Sequence, residues 1–570
     1  MTQIATPETV IANFDDVYVS DVHGDTMHLE QRGNEFWATF TEPDSPKSTI
    51  NQITRQVVMI TGSHHQQIYW YSTGHDRALN VLPGVYIISE NKWVPRSAVV
   101  LHPPNQSLSM TDGHWNAICL ACHTTHPKTQ FRAPFLDLPI EDQAVDTTVA
   151  EFGIACEACH GPATEHIQKH QNPLTRYRSY LSDEPDSSIV EPSSLSPQRS
   201  SQVCGQCHSV WEFYDSAGER HANAEGFPYS PGDELRETRF IPQPMKQLGS
   251  QALNAFVAKD PDFVAGSFWP DGMIRVSGRE YNGLIDSPCF TNTVDHNSSE
   301  TLSCFSCHNM HKSTDDPRPI STWADTHQVA SDMDTNEACL QCHDTFRTNV
   351  AQHTGHAQDS TGSLCYNCHM PYSSYGLLKA VRSHTISSPS ISETIEYGRP
   401  NACNLCHLDK TLSWTGAVLE ERYQIPIPEL NKDEEQIAAS LLWAMKGDAG
   451  QRALTTWAFG WAPAQKASGT SWMTPHLLEL LNDPYEAIRF IAYRSLRQVS
   501  GYETLEYNYL DSRENRIKFA LPLLQSWQAS QMSRQRRDPE LLVGNDGNLL
   551  FDEFRRILNQ RDNRPIFLRE

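Results

Sequence analysis

Alternation between hydrophobic and polar positions characterises the first 110 residues. Residues 27–41 contain two strand-like runs on either side of a Gly-Asn turn, and two further runs within residues 56–72 are rich in β-branched and aromatic side chains. Residues 84–101 have the pattern of a hairpin that turns at residues 90–92. We therefore predict a β-rich N-terminal domain over residues 1–110.

A helical period replaces this alternation after residue 410. Apolar side chains recur at the spacing of amphipathic helices in four segments, which are residues 434–447, 451–460, 475–481 and 484–498. Residues 480–499 resemble a HEAT repeat, a helix pair that stacks into solenoids. The pattern predicts an all-α C-terminal domain over residues 411–570. Two roles for it stay open, a cap on the rest of the chain and a partner-binding arm.

Seven copies of the spacing Cys-x-x-Cys-His lie between these two regions. This spacing is the attachment sequence of c-type haem, in which two thiols form thioethers to one porphyrin and the adjacent His binds the iron. The motif cysteines are Cys119, Cys122, Cys156, Cys159, Cys204, Cys207, Cys304, Cys307, Cys339, Cys342, Cys365, Cys368, Cys403 and Cys406. The motif histidines are His123, His160, His208, His308, His343, His369 and His407. We therefore predict seven covalent haem c groups.

Two other uses of cysteine fit this pattern less well. A structural zinc ion needs four ligands in a closed tetrahedron, usually from paired Cys-x-x-Cys units, and does not require His after every second Cys. A disulfide framework would not repeat one short loop seven times, nor add a His to each copy. Haem attachment is therefore favoured over both.

The spacing of the motifs limits the architecture of the middle of the chain. The motifs share residues 119–407, about 41 residues per haem, whereas an independent domain usually needs about 50 or more. The porphyrins must then supply much of the hydrophobic core and contact one another. We predict a seven-haem core over residues 111–410. The predicted fold class is α+β, with a β-rich N-terminal part, an irregular or α multihaem core with little regular structure, and C-terminal all-α HEAT-like helices.

Composition and charge restrict the class of partner. No run of about 18 apolar residues occurs, so we expect no transmembrane segment. The formal net charge of −24 argues against nucleic acid as a partner, and it favours a basic redox protein, a cation or a mineral surface unless it only serves solubility.

The motifs also indicate a compartment. Haem is attached to Cys-x-x-Cys-His motifs outside the cytoplasm, so we expect a periplasmic or extracellular protein. Residues 1–14 have neither the basic start nor the apolar segment of a signal peptide. We therefore expect that the export signal is not in this sequence, either because the numbering follows its removal or because the start is incomplete.

The second axial ligands of the irons are expected to be mostly histidines. Of 25 His, seven belong to the motifs and 18 remain, and His is a common sixth ligand of haem iron. His126 and His311 each follow a motif His by three residues, too close to reach over the same porphyrin but well placed for a neighbouring one. The candidate iron ligands beyond the motifs are His23, His28, His64, His65, His126, His166, His311, His353, His356 and His384.

Several motifs lie within longer sequences that indicate a family. CEACHGPATEH (156–166) and CYNCHMP (365–371) resemble the multihaem c superfamily, which includes the tetrahaem cytochromes of ammonia oxidation and the multihaem nitrite reductases. A widespread family of multihaem cytochromes, often fused to helical repeats, is more similar. The matching pieces include WNAICLACH (115–123), GSFWPDG (266–272), LSCFSCHNMH (302–311) and GRPNACNLCHLDK (398–410). The resemblance covers about residues 15–410 and implies a multihaem c-type cytochrome.

Two departures from these relatives matter. Members of the more similar family often carry a further Cys-x-x-Cys-His upstream of a sequence like FDDVYVSDVHG (14–24), and this chain starts too late to contain it. Many nitrite reductases have Lys in place of one motif His, and no such motif occurs here. The first departure leaves an eighth haem open, and the second weakens an assignment as a nitrite reductase.

Two functions are open at this point. The number of haems, their packing and the surplus of His favour electron transfer through a chain of mostly bis-His haems, between redox partner proteins or in an oligomer or filament of this chain. The alternative is an oxidoreductase of a small nitrogen or sulfur oxyanion, which needs one open haem site. Cys289, the cysteine outside the motifs, is either a thiolate near such a site or a small buried apolar side chain. No catalytic residue is predicted.

Overall fold

The computed structural model describes residues 2–20, 26–41, 52–74, 76–104, 114–132, 144–182, 185–295, 301–531 and 538–568. The strands are β1 Thr2–Ile4, β2 Val17–Ser20, β3 Thr26–Arg32, β4 Glu35–Thr41, β5 Gln52–Thr61, β6 Gln66–Ser72, β7 Leu79–Ile87, β8 Lys92–Pro95, β9 Thr124–Thr125, β10 Glu151–Phe152, β11 Tyr372–Gly376 and β12 Lys379–Arg382.

The helices are more numerous and mostly short. The helices before residue 410 are α1 Leu120–His123, α2 Cys156–His160, α3 Thr164–His170, α4 Pro173–Tyr180, α5 Pro197–Gly205, α6 Ser216–Glu225, α7 Leu235–Thr238, α8 Gln251–Lys259, α9 Glu280–Asp286, α10 Pro288–Asp295, α11 Ile320–Asp325, α12 Glu337–Leu340, α13 Val350–Thr354, α14 Cys365–His369, α15 Ser392–Tyr397 and α16 Ala402–Cys406. The later ones are α17 Leu412–Tyr423, α18 Lys432–Gln436, α19 Ala439–Lys446, α20 Ala449–Phe459, α21 Ala462–Ser468, α22 Thr474–Leu480, α23 Glu486–Leu496, α24 Arg513–Gln531 and α25 Phe551–Leu558.

The chain forms two compact units, each discontinuous in sequence. Unit 1 consists of Met1–Arg96, Ser107–Pro242 and Gly278–Ala338, and unit 2 consists of Ser97–Gln106, Gln243–Ser277 and Cys339–Glu570. The first four Cys-x-x-Cys-His motifs therefore belong to unit 1 and the last three to unit 2. The domain boundaries predicted at residues 110 and 410 rest on changes of sequence pattern, and the division into these two units does not test them.

An eight-stranded antiparallel sheet forms the first part of unit 1. Its strands follow the order β2-β3-β4-β5-β6-β7-β8, and β1 pairs with β5. The side chains of Met27, Leu29, Phe36, Ala38 and Phe40 are buried on one face, because successive side chains of a strand point to opposite faces. The edge strands β2 and β8 also approach each other, so the sheet curls almost closed.

Two hairpins of this sheet lie where the alternating pattern placed them. Arg32 pairs with Glu35 across a two-residue turn, and Gly33 at its first position has a φ of 66°. A type II′ turn needs a positive φ at that position, which glycine adopts without strain. At the second hairpin, β7 pairs with β8, and Asn91 in the turn has a φ of 51°.

The predicted fold class is wrong for the middle of the chain. Helices make up 41% and strands 16% of the structure, and α1 to α16 all lie between residues 120 and 406. An irregular core with little regular structure, set between a β-rich part and HEAT-like helices, is therefore contradicted, and only a coarse α+β composition remains compatible. Each of these helices spans ten residues or fewer, too few for the 3.6-residue period to be recognised in the sequence.

Helices dominate the C-terminal part of unit 2, where α20 packs between α19 and α23. The start of α20 is fixed by a capping box, in which Asp448 and Gln451 each bond the backbone of the other. Arg452 of the same helix has no exposed surface and donates from Nε to Oδ2 of Asp483 at 2.8 Å, and Asp483 is equally buried. A buried ion pair of this kind is costly to break, because the remaining charge has no water.

Candidate haem-binding centres

Each Cys-x-x-Cys-His motif folds as a single helical turn. The second and sixth motifs are the helices α2 and α14. In four others the His N–H donates to the carbonyl of the first Cys, at 2.9 Å in 204–208, 3.0 Å in 304–308, 2.9 Å in 339–343 and 2.7 Å in 403–407. Residues three and four apart on a helix are neighbours on its surface. The turn therefore brings the two thiols and the imidazole of a motif to one side, as attachment to one porphyrin requires.

Four motif histidines are held through Nδ1. The Nδ1 atoms of His160, His308 and His369 donate to the carbonyl oxygens of Val190, His327 and Ser387 at 2.8, 3.0 and 2.9 Å, and Nδ1 of His208 donates to Oε2 of Glu280 at 2.8 Å. Carbonyl and carboxylate oxygens only accept, so Nδ1 carries the proton and Nε2 is left to bind a metal. Metal-ligating histidines are usually held by this kind of bond.

Within the described part of the chain, three motif histidines face a second imidazole. The ring centres are 6.1 Å apart for His160 and His311, 6.2 Å for His369 and His353, and 6.0 Å for His407 and His356. Two metal–nitrogen bonds of about 2 Å, with about 1 Å from each nitrogen to its ring centre, also give about 6 Å. The spacing of these three pairs therefore fits one metal ion between two imidazoles.

The second imidazoles in unit 2 are held by their surroundings. His353, on α13, packs against the rings of Phe346 and Tyr423 at 4.7 and 5.8 Å, and the Tyr423 hydroxyl donates to the His353 carbonyl. Nδ1 of His356 donates to the Thr354 carbonyl at 2.8 Å. These contacts orient both rings before any ligand binds.

Burial keeps several motif histidines neutral. It lowers the pKa of His123 to about 4, and it also lowers the pKa of His308 and of His407. Histidine must be neutral to bind a metal through nitrogen. These three side chains are therefore in the ligating form at neutral pH.

Thiols of different motifs also lie in contact. Cys122 reaches Cys207, and this hydrogen bond lowers the pKa of Cys122 to about 6. The same kind of contact joins Cys304 to Cys204, and it joins Cys365 to Cys339, where the pKa of Cys365 falls to about 7. These motifs therefore bring thiols of different motifs next to one another.

Three predicted iron ligands lie beside carboxylates instead. The closest oxygens are Asp16 Oδ1 at 2.6 Å for His28, Asp325 Oδ1 at 3.7 Å for His64 and Glu157 Oε2 at 3.9 Å for His126. His28 also stacks on Tyr18, with ring centres 4.5 Å apart. Among the residues that the structure describes, no ring contact places these three histidines opposite a motif His, so their iron ligation stays a prediction.

The other predicted ligands have varied surroundings. His65 faces His327, with ring centres 5.8 Å apart, and His327 was not among the candidates. His166 contacts Asp186 and lies beside His170, with the two rings tilted by 38°. His384 follows β12 and is half-buried, and His23 lies outside the described residues. The His-x-x-x-His spacing of 166 and 170 was a signal for that contact in the sequence, whereas nothing there singled out His327.

The donor set fits haem c in its chemistry. Each motif offers two thiols and an imidazole that would hold it. Four of these imidazoles are oriented through Nδ1, and three motif imidazoles face a second imidazole. Comparison with protein-family models, with curated proteins and with solved structures finds no match to this chain. The family resemblance therefore stays a prediction from the motifs.

Proposed function

We propose that this chain is a multihaem c-type cytochrome that carries single electrons through seven covalently attached haems. The observation that carries the proposal is the set of three motif histidines that each face a second imidazole at 6.0–6.2 Å. The bound group supplies one-electron chemistry, since its iron alternates between two oxidation states.

The chain's own residues set the position and the affinity of each centre for electrons. The cysteine pairs would hold each porphyrin. His160, His369 and His407 would bind its iron, with His311, His353 and His356 as their respective second imidazoles. A hydrogen bond from Nδ1 raises the basicity of a ligating imidazole, and two His ligands give a lower reduction potential than His with Met. These residues therefore favour low-potential, six-coordinate centres.

Contacts between motifs support transfer from one centre to the next. In unit 1, the thiol contacts join the first motif to the third and the third to the fourth. In unit 2, Cys339 contacts Cys365, and α14 of the sixth motif packs against α16 of the seventh. Porphyrins attached at these points lie close together within each unit.

The setting of this activity follows from the attachment chemistry. Covalent attachment to these motifs takes place outside the cytoplasm, so we place the protein in the periplasm or at the cell exterior. Among the residues described, the helices are all too short or too polar to cross a bilayer. Electrons enter and leave through redox partner proteins or through further copies of this chain.

Spectroscopy of the haem-loaded protein tests the proposal. We expect seven low-spin, six-coordinate irons that are reduced and reoxidised without any substrate and do not bind carbon monoxide. Electron paramagnetic resonance (EPR) of the oxidised protein and carbon monoxide titration of the reduced protein measure this. A high-spin iron that binds nitrite or sulfite and turns it over would contradict it and favour the oxidoreductase.

A further inference from the structure

A second group of side chains that could hold a metal lies in unit 1, and none of its members belongs to the imidazole pairs. His166, His170 and Asp186 each offer a ligand atom, and these atoms lie within 4.8 Å of one another. Nδ1 of His166 is 3.1 Å and Nε2 of His170 is 2.5 Å from the same oxygen, Asp186 Oδ2. Both imidazoles therefore converge on one carboxylate oxygen.

The sequence produces this convergence through a short helix. His166 and His170 are four residues apart in α3, so their side chains lie on the same face. Helix-borne zinc sites use two histidines at the same spacing. Asp186 comes from the segment that follows α4 and supplies the third potential ligand.

The carboxylate is oriented by bonds to its other oxygen. Oδ1 of Asp186 accepts from the backbone N–H and the hydroxyl of Ser188 at 3.0 and 2.6 Å, and from Nζ of Lys169 at 2.6 Å. The hydrogen bonds of Lys169 and Ser188 hold the pKa of Asp186 well below its usual range. Outer bonds of this kind orient the carboxylate ligands of metal sites.

The exposure of the cluster suits a cation that keeps some water. The side chains of His170, Asp186 and His166 are 15%, 19% and 35% exposed. Lys169 competes for the carboxylate, but its side chain is 37% exposed, so water can solvate its ammonium group when a cation takes its place. The net charge of −24 draws cations towards the protein.

We propose that His166, His170 and Asp186 form a mononuclear site for a divalent transition metal of the zinc class. Imidazole with a single carboxylate suits Zn²⁺, Ni²⁺ or Cu²⁺, whereas Mg²⁺ and Ca²⁺ prefer oxygen ligands. Three protein ligands leave a coordination position for water. His166 thus serves this site and not a haem iron.

Calorimetric titration of the chelator-treated, haem-loaded protein with ZnCl₂ tests the site. We expect one zinc site that is at least tenfold weaker in His170→Ala and in Asp186→Asn, and no comparable binding of MgCl₂. His221→Ala is the matched control, since His221 is exposed on α6, and it should bind zinc like the unchanged protein. Equal zinc affinity in His170→Ala would overturn the proposal.

Two further measurements do not depend on the stability of those variants. X-ray absorption at the zinc edge of the unchanged protein, loaded with one equivalent of Zn²⁺, should show two imidazole ligands, and fewer than two would overturn the proposal. His166→Ala should leave the EPR spectrum of the irons unchanged. A new high-spin iron in that variant would assign His166 to a haem and overturn the site.

Discussion

Replacement of His353 by Ala is a direct probe of the imidazole pairs. The ring of His353 is nearly parallel to that of His369, with an interplanar angle of 7° and ring centres 6.2 Å apart. The substitution removes one axial ligand and leaves the motif His and both cysteines in place. We therefore expect the haem to stay attached while its iron loses its sixth ligand.

The size of the effect follows from the number of motifs. One of seven irons should change from low spin to high spin, about one seventh of the total. His353→Met should keep that iron six-coordinate and raise its reduction potential, by on the order of 0.1 V, because the choice of axial ligand spans about 0.8 V.

Quantitative EPR of the oxidised protein measures the spin states, and a potentiometric titration measures the potential. His221→Ala, at an exposed position on α6, should change neither and serves as the control. A spectrum of His353→Ala with seven low-spin irons would refute the pairing of His353 with His369.

Three other changes give separate tests. Burial lowers the pKa of His208, but the hydrogen bond and the charge of Glu280 raise it, so that the pKa is raised overall. Glu280→Gln should remove this negative charge and raise the reduction potential of one haem. A tenfold change in the relative stability of the oxidised and reduced haem corresponds to about 60 mV, and a voltammogram identical to that of the unchanged protein would contradict this. Arg452→Ala leaves Asp483 buried without its closest partner and should lower the free energy of unfolding by about 3–5 kcal/mol, measured by chemical denaturation; a loss below 1 kcal/mol would contradict it. Burial lowers the pKa of His476 from 6.5 to about 4, so the unfolded chain takes up this proton first as the pH falls. Up to roughly 3 kcal/mol of folding stability is therefore lost between pH 6.5 and pH 4. His476→Gln should flatten that part of the pH–stability curve, and an unchanged slope would contradict a contribution of His476.

The elements that were predicted well are those whose pattern is local. The turn at Gly33 and the hairpin around Asn91 depend on residues a few positions apart, and the structure has both. The sequence did not locate the short helices of the middle region, because they are too brief to show a period. Their formation is tied to contacts far apart in sequence, such as the bond from His369 to Ser387.

The residues of the candidate site likewise differ in how far the sequence predicts them. The motif residues are given by spacing alone, since Cys-x-x-Cys-His is one helical turn. Spacing does not give the opposed imidazoles, because the distance in sequence between the partners has no fixed value. It is 151 residues for His160 and His311 and 16 residues for His353 and His369. His311, His353 and His356 were among ten candidates that the sequence could not rank, and only the folded chain distinguishes these three.

Covalent haem on the paired thiols underlies the proposed electron transfer, and the mass of the protein tests this attachment most directly. Mass spectrometry of the purified protein, unfolded in acid after treatment with a disulfide reductant, should give the polypeptide plus seven haems, since thioether bonds survive both steps. The mass of the bare polypeptide, or of a polypeptide that releases its porphyrin on unfolding, would contradict the account.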